Sequence, residues 1–164
     1  MNVNFRIATL DDVPRLAAAR WAFRLESGET TAETEEAFAS RFEAFARDAL
    51  ASGRWTYWIA ETSDGELASQ MAVCIVQSVP RPARASDQWG YLTDCYTRAA
   101  FRNRGIGTEL LGRVATWAAS HELELLLVWP SEESQRFYAR AGFDRDEEIR
   151  VLRLRDYDVS PGSL

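Results

Sequence analysis

A cluster of arginines and glycines at residues 102–108 is the segment of this chain best suited to bind a charged ligand. It has the sequence RNRGIGT and lies directly before a segment with helical periodicity. The first turn of a helix leaves backbone N–H groups without partners, and the helix dipole adds partial positive charge there. Gly105 and Gly107 lack Cβ atoms, so an anion can approach these amides closely. Arg102 and Arg104 add two cations at the same point, so the segment predicts a phosphate or pyrophosphate site.

Two common phosphate-binding motifs do not fit this segment. A P-loop requires a lysine after its second glycine, and the chain contains no lysine. The dinucleotide-binding pattern G-x-G-x-x-G requires a third glycine where Leu110 stands. The acidic residue expected about twenty positions later has only chance matches, Glu122 and Glu124. Neither motif therefore explains the phosphate site.

The elements around the cluster follow from residue patterning. Gly90–Thr97 is rich in aromatic and β-branched residues, which predicts a strand before the cluster. After it, apolar residues recur at the spacing of one helical face: Ile106, Leu110, Leu111, Val114, Trp117 and Ala118. The continuous apolar run Leu123–Trp129 then predicts a strand that is buried on both faces. The phosphate site is thus expected in a tight turn between a central strand and a helix.

At this point the chain resembles the GNAT superfamily of N-acetyltransferases. Residues 102–107 fit the family pattern Q/R-x-x-G-x-G/A, at which its members bind the pyrophosphate of acetyl-CoA. Residues 131–143, SEESQRFYARAGF, resemble the family's N-x-x-A-x-x-L-Y-x-K-x-G-F. Three positions match (Tyr138, Gly142 and Phe143), and three depart from the pattern (Ser131 for Asn, Ser134 for Ala and Arg140 for Lys). The resemblance extends over roughly residues 4–155.

The resemblance implies acetyl-CoA as the acyl-donor substrate. No metal is expected, because neither Cys74 nor Cys95 has a Cys or His at metal-ligand spacing. In the family, backbone amides of the central strand contact the thioester carbonyl, which corresponds here to residues 95–97. Replacement of the usual Asn by Ser131 is expected to weaken one contact with CoA or transfer it to Ser134. The expected donor-binding residues are Cys95, Tyr96, Thr97, Arg102, Asn103, Arg104, Gly105, Ile106, Gly107, Thr108, Ser131, Ser134 and Tyr138.

Amide formation also needs a proton acceptor, because an alkylamine with a pKa of about 10.4 is almost fully protonated at neutral pH. It needs a proton donor as well, for the departing thiolate. The resemblance gives Tyr138 the role of protonating the departing CoA thiolate, and the alternative is a packing role in a helix. Asp94 is the candidate base. An ordinary aspartate is a weak base, so burial must raise its pKa or a water must relay the proton. Alternatively, Asp94 only orients the substrate or pairs with an arginine.

Strand alternation makes a prediction about the surroundings of Asp94. Successive side chains of a strand point to opposite faces. Leu92, Asp94 and Tyr96 are therefore expected on one face, and the other face is expected to carry Tyr91, Thr93, Cys95 and Thr97. Cys95 is a rival candidate as a nucleophile, but no histidine lies near it in the sequence. The single histidine, His121, lies at a predicted helix C-terminus, where it is expected to interact with the last carbonyls.

Residues 26–36 contain five glutamates and no basic residue. The family places the loop between its first two helices over the acceptor pocket, so this segment is either an acidic rim that attracts an amine or a solvated helix start. Aromatic residues elsewhere (Trp55, Tyr57, Trp58 and Trp89) either line an acceptor pocket or pack in the core.

The whole chain is expected to form one α/β (α+β) domain, residues 1–164, with a flexible tail from about residue 158. Its mixed, mostly antiparallel sheet should have about seven strands, flanked by about four helices. The predicted strands include residues 3–8, 55–61, 67–79, 90–97, 123–129 and 149–154. Further helices are predicted from Asp11 or Asp12 to about Gly28 and over 33–51.

Composition restricts the partners and the location. A formal net charge of −6 argues against nucleic acid and permits a cationic acceptor. No apolar run is long enough to span a membrane and no secretory signal is visible, so a cytoplasmic location is expected. A homodimer is one of the states that the resemblance allows. The sequence thus predicts an N-acetyltransferase for a primary amine, with a non-catalytic acyl-CoA sensor as the alternative.

Overall fold

The structure is a computed structural model, and it describes residues 2–152. The strands of this part are β1 Val3–Ile7, β2 Trp55–Thr62, β3 Leu67–Gln77, β4 Gln88–Thr97 and β5 Leu126–Leu127. The α-helices are α1 Val13–Glu26, α2 Glu35–Ala51, α3 Ile106–Ser120 and α4 Gln135–Arg140. Short 3-10 turns cover Leu10–Asp12, Ala99–Phe101 and Glu132–Ser134.

The strands form one sheet in the order β1-β2-β3-β4-β5. All neighbours are antiparallel except β4 and β5, which are parallel. The predicted mixed, mostly antiparallel sheet with four helices is therefore confirmed.

The predicted number of about seven strands is wrong for the described residues, which contain five. Of the apolar run 123–129, only Leu126 and Leu127 join the sheet, at its edge. Leu125 and Trp129 are 46% and 61% exposed, so the run is not buried on both faces. Residues 149–152 are not a strand, and the rest of that predicted strand and the predicted tail lie outside the described residues. Apolar side chains can pack on a helix without pairing with a neighbouring strand. The prediction of a buried strand over residues 123–129 failed for this reason.

Two apolar cores lie on opposite faces of the sheet, as the alternation along β2 requires. Tyr57 and Ile59 pack with α1 and α2 on one face, here called the α1 face. Trp58 and Ala60 point to the other face, where they pack with α3 and α4. The central strands are thereby covered on both sides.

Asp12, one of the two predicted capping residues, lies at the start of α1, although its side chain does not cap that helix. It is the N-cap residue and lies two positions before Pro14. Its buried carboxylate accepts bonds from the Thr9 backbone N–H at 2.8 Å and from Arg6 Nη1 at 2.7 Å, and it also pairs with Arg15. The bond from Arg6 is the main reason that the pKa of Asp12 is held well below its usual value.

Candidate functional site

The glycine turn forms the N-terminus of α3 at the end of β4. Gly105 is the N-cap residue with φ +78°, a conformation that glycine adopts without strain. The Glu109 N–H makes the first bond of this helix, to the Gly105 carbonyl at 2.9 Å. The N–H groups of residues 106–108 consequently have no acceptor within the helix and can meet an anion.

Gly107 places this helix start directly against β4. A Cβ atom built on Gly107 would lie 3.0 Å from Thr97 Oγ1, tighter than ordinary packing allows. The same atom would lie 3.8 Å from Phe137 of α4. The end of β4, the start of α3 and α4 thus converge at one point.

Arg102 is held on the α1 side of this turn. Its Nε donates to the Thr97 carbonyl at 2.9 Å, and its guanidinium forms an ion pair with Glu26 at the end of α1. Glu26 also accepts a bond of 2.5 Å from the Tyr96 hydroxyl. Arg104 lies over the ring of Phe101, 6.0 Å from its centroid. A pyrophosphate role for Arg102 therefore requires exchange of Glu26 for the ligand, and both arginine roles stay predictions.

The edge of β4 is open beyond its short contact with β5. Only Gly90 and Tyr91 pair with β5, opposite Leu126 and Leu127. In the described part of the chain, residues 92–97 have no strand partner on that side. An extended ligand can lie along this edge, with its phosphate end toward α3.

A bulge in β4 changes which face each side chain occupies. Ala72 of β3 pairs with Thr93 and Gln70 pairs with Tyr96, so one β3 residue stands opposite two of β4. Asp94 lies in this bulge with φ +51°. Tyr96 packs on the α1 face and Leu92 on the opposite face. The prediction that these two share a face is wrong, because strand alternation is interrupted by the extra residue.

Asp94 is a buried carboxylate with two hydrogen-bonding partners. It is 6% exposed, and its Oδ1 accepts from Arg20 Nη1 at 3.1 Å while its Oδ2 accepts from Gln70 Nε2 at 2.7 Å. Burial raises the pKa of Asp94 to about 6, although Arg20 and Gln70 act in the opposite direction. The group can therefore accept a proton near neutral pH, which an ordinary aspartate does poorly.

Tyr138 approaches the same stretch of β4 from α4. It is buried, and its ring packs 5.1 Å from Phe137 and 5.5 Å from Phe143, between centroids. It packs in the same apolar cluster as Cys95, which is next to Asp94 in the sequence. Burial, together with Cys95, raises the pKa of Tyr138 above its ordinary value, so the phenol is a proton donor at neutral pH.

A strand, glycine turn and helix with this open strand edge match a known family. The sequence profile of the Acetyltransferase (GNAT) family matches residues 16–143. The chain belongs to this family. The similar glucosamine 6-phosphate N-acetyltransferase 1 of Oryza sativa subsp. japonica is 30% identical over 110 residues, which are 67% of this chain and 64% of that protein. The chain thus aligns with less than two thirds of this relative's length.

Solved structures of other proteins share the GNAT fold. A predicted acetyltransferase from Clostridium acetobutylicum, crystallised with acetyl-CoA, superposes with a TM-score of 0.79 at 22% identity, over 93% of this chain and 97% of that one. A GCN5-related N-acetyltransferase from Ralstonia eutropha JMP134 gives a TM-score of 0.76 at 25% identity, over 93% and 99% of the two chains. The first of these shows the fold alone.

Two departures from the GNAT pattern occupy the start of α4. Ser131 Oγ donates to Ser134 Oγ at 3.1 Å, and Ser134 Oγ donates to the Ser131 carbonyl at 3.0 Å. These serines therefore satisfy each other locally, and a role in binding CoA stays a prediction.

Cys95 does not have the surroundings of a nucleophile. Burial raises the pKa of its thiol to about 12, so the reactive thiolate is disfavoured. His121 is the C-cap residue of α3, where its Nδ1 lies 2.9 Å from the Trp117 carbonyl, as predicted. The only histidine of the chain is thus committed to a helix end.

Two glutamates of the acidic segment before α2 are paired with arginines. Glu29 pairs with Arg24, and Glu33 pairs with Arg41 at 2.7 Å. These residues line a hollow of about 350 Å³ whose other walls include the rings of Trp21 and Phe38. The structure favours ion-paired residues here over a free acidic rim.

Arg20 and Gln70 are the site residues that sequence reasoning missed. Arg20 lies in a helix with many arginines, so nothing in the sequence distinguishes it. Gln70 stands in the apolar run of β3 with only Ser69 as a polar neighbour, and a polar residue in a buried strand is a usable signal. Within residues 2–152 there is no group of three or more potential metal ligands and no helix that could span a membrane.

Proposed function

We propose that this GNAT protein transfers the acetyl group of acetyl-CoA to a primary amine by direct attack in a ternary complex. The observation that carries the proposal is the position of two proton-transfer groups at one stretch of β4. Burial raises the pKa of Asp94 to about 6, and Tyr138 packs in the same apolar cluster as the adjacent Cys95. Thioester aminolysis requires a proton acceptor for the amine and a proton donor for the departing thiolate.

The donor would lie along the open edge of β4. Its pyrophosphate would accept bonds from the N–H groups at the start of α3, and the helix dipole would favour its charge. The thioester carbonyl would meet backbone amides of residues 95–97, which would stabilise the negative charge that develops on its oxygen. The unpaired β4 edge and the glycine turn support this arrangement.

The reaction would proceed in balanced proton steps. Asp94 takes a proton from the ammonium group, directly or through water, and the neutral nitrogen attacks the carbonyl carbon. The tetrahedral intermediate collapses, the C–S bond breaks, and the Tyr138 hydroxyl protonates the departing thiolate. No covalent enzyme intermediate is needed.

The acceptor would be a primary amine, and two chemical classes deserve a direct comparison. The net charge of −6 favours a cationic amine. The name of the rice relative points instead to an amino sugar phosphate. Release of the CoA thiol should be measured for both classes, with amino acids and short peptides as further acceptors. A rate that rises and saturates with one compound would establish the activity.

A non-catalytic acyl-CoA sensor is the second candidate. It is favoured by the bonds from Arg20 and Gln70 to Asp94, which would leave a donor-binding protein without a free base. Calorimetry with acetyl-CoA separates the two functions. Tight binding without thiol release by any acceptor would support the sensor and contradict the transferase.

A further inference from the structure

Gln70 is the most deeply buried polar side chain next to the proposed base. It is 0% exposed and lies on β3, opposite the bulge that contains Asp94. Its Nε2 donates to Asp94 Oδ2 at 2.7 Å. The reverse orientation of the amide would bring two acceptor oxygens together, so this bond fixes Gln70 Oε1 on the other side.

Gln70 Oε1 lacks a hydrogen-bond partner. The atom is buried, and no donor from the described part of the chain reaches it. Buried side-chain oxygens are nearly always hydrogen-bonded, to protein or to an ordered water. An orphan acceptor beside a buried carboxylate therefore indicates a bound donor at this position.

A water molecule is the donor that best fits these surroundings. Gln70 is fully buried, so a substituted amine has less access to Oε1 than a single water has. Asp94 accepts one bond at each oxygen, from Arg20 and from Gln70, and each carboxylate oxygen can accept a second bond. Buried waters typically bind to two to four such polar atoms.

We propose that Gln70 Oε1 holds an ordered water that relays the proton of the acceptor amine to Asp94. Gln70 is then a positioning residue, because it acts through this water. The inference rests on the proposed acetyl transfer. In the step, an ammonium N–H bond breaks, the water gains that proton, and a different proton passes from the water to the Asp94 carboxylate. The water is regenerated, and the neutral amine is ready to attack.

Several other charged or titratable groups surround Asp94 and act on its protonation. Arg20 and Arg24 face it from α1, Tyr57 faces it from β2, and Cys95 adjoins it on β4. Arg20 and Arg24 cannot replace the acceptor that Gln70 Oε1 supplies, because a guanidinium group only donates.

Gln70→Met tests the relay, because methionine keeps the side-chain length and removes the amide. Turnover near neutral pH should fall by about 10- to 100-fold with an unchanged KM for acetyl-CoA. The deficit should shrink as pH rises toward the pKa of the amine, since the amine then loses its proton without help. Gln77→Met, at the exposed end of the same strand, is the matched control.

A double variant shows whether Gln70 and Asp94 act as one unit. Asp94→Asn combined with Gln70→Met should be no slower than Asp94→Asn alone, because one relay is lost only once. Losses that multiply, or a Gln70→Met deficit that is constant with pH, would overturn the relay. Normal turnover of Gln70→Met in an active background would do so as well, whereas a wild-type protein inactive with every amine would overturn the proposed function itself.

A high-resolution crystal structure of the wild-type protein gives a test that does not depend on activity or on the folding of a variant. A water oxygen within hydrogen-bonding distance of both Gln70 Oε1 and an Asp94 oxygen is the expected result. A dry site, or a protein donor bonded to Oε1, would refute the inference.

Discussion

Asp94→Asn should show that this protein retains a carboxylate that destabilises its fold. The pKa of Asp94 is about 6 in the folded protein, against an ordinary 3.8. Between these values the folded protein holds a proton that the unfolded chain has lost, so stability falls as pH rises through this window. This rise in the pKa of Asp94 corresponds to a loss of about 3 kcal/mol in the free energy of unfolding at and above neutral pH.

Asparagine has the same shape without the charge, so the variant lacks this pH-dependent penalty. The variant also leaves Arg20 without its counter-ion. This loss changes the free energy of unfolding by the same amount at every pH in this range, because arginine does not titrate there. The free energy of unfolding of the variant, relative to that of wild type, should therefore rise by about 1 kcal/mol between about pH 5 and about pH 8.

Urea unfolding at the two pH values measures this change. Asp48→Asn, an exposed position on α2, is the matched control and should show no such rise. The same Asp94→Asn protein should lose acetyl transfer by about 100-fold or more. A difference in stability between variant and wild type that is identical at both pH values would show that burial does not raise the pKa of Asp94. Asp94 would then be no better a base than an ordinary aspartate.

Four further predictions address the donor site, the acid, the base and the fold. Tyr138→Phe should lower turnover by about 100-fold while acetyl-CoA affinity stays within about twofold, measured by thiol release and calorimetry. Gly107→Leu should abolish acetyl-CoA binding in calorimetry, because its side chain would collide with Thr97. The rate with a good acceptor should rise with pH through an apparent pKa of about 6, as Asp94 ionises. Asp12→Asn should lower the free energy of unfolding by about 2 kcal/mol, measured with urea. This loss should diminish below about pH 4, because the unfolded chain then binds a proton at Asp12 and the lowered pKa stabilises the folded wild-type protein less.

Matched control variants define the results that would contradict these predictions. Tyr91→Phe removes a different phenol, which lies on β4, and should leave turnover unchanged; equal losses at both tyrosines would remove the special role of Tyr138. Gly112→Leu lies in the same helix as Gly107, and a Cβ atom there meets nothing within 4 Å. Equal binding by both leucine variants would show that the pyrophosphate site is elsewhere. A flat pH profile, or full stability of Asp12→Asn, would contradict the corresponding pKa arguments.

The sequence by itself determined the parts of this protein that depend on neighbouring residues. The glycine turn, the start of α3 and the start of α1 near Pro14 follow from local backbone preferences. The family follows from two short motifs, around Gly107 and Tyr138. Each is a local pattern, because a helix N-terminus is specified within about one turn.

Only the tertiary structure decided the chemistry around Asp94. Alternation predicted the wrong face for Leu92 relative to Tyr96, because the bulge arises from the pairing of β4 with β3. The raised pKa of Asp94 and its bonds to Arg20 and Gln70 join three elements distant in sequence. Burial and long-range pairing depend on how the elements pack, and no local pattern contains that information.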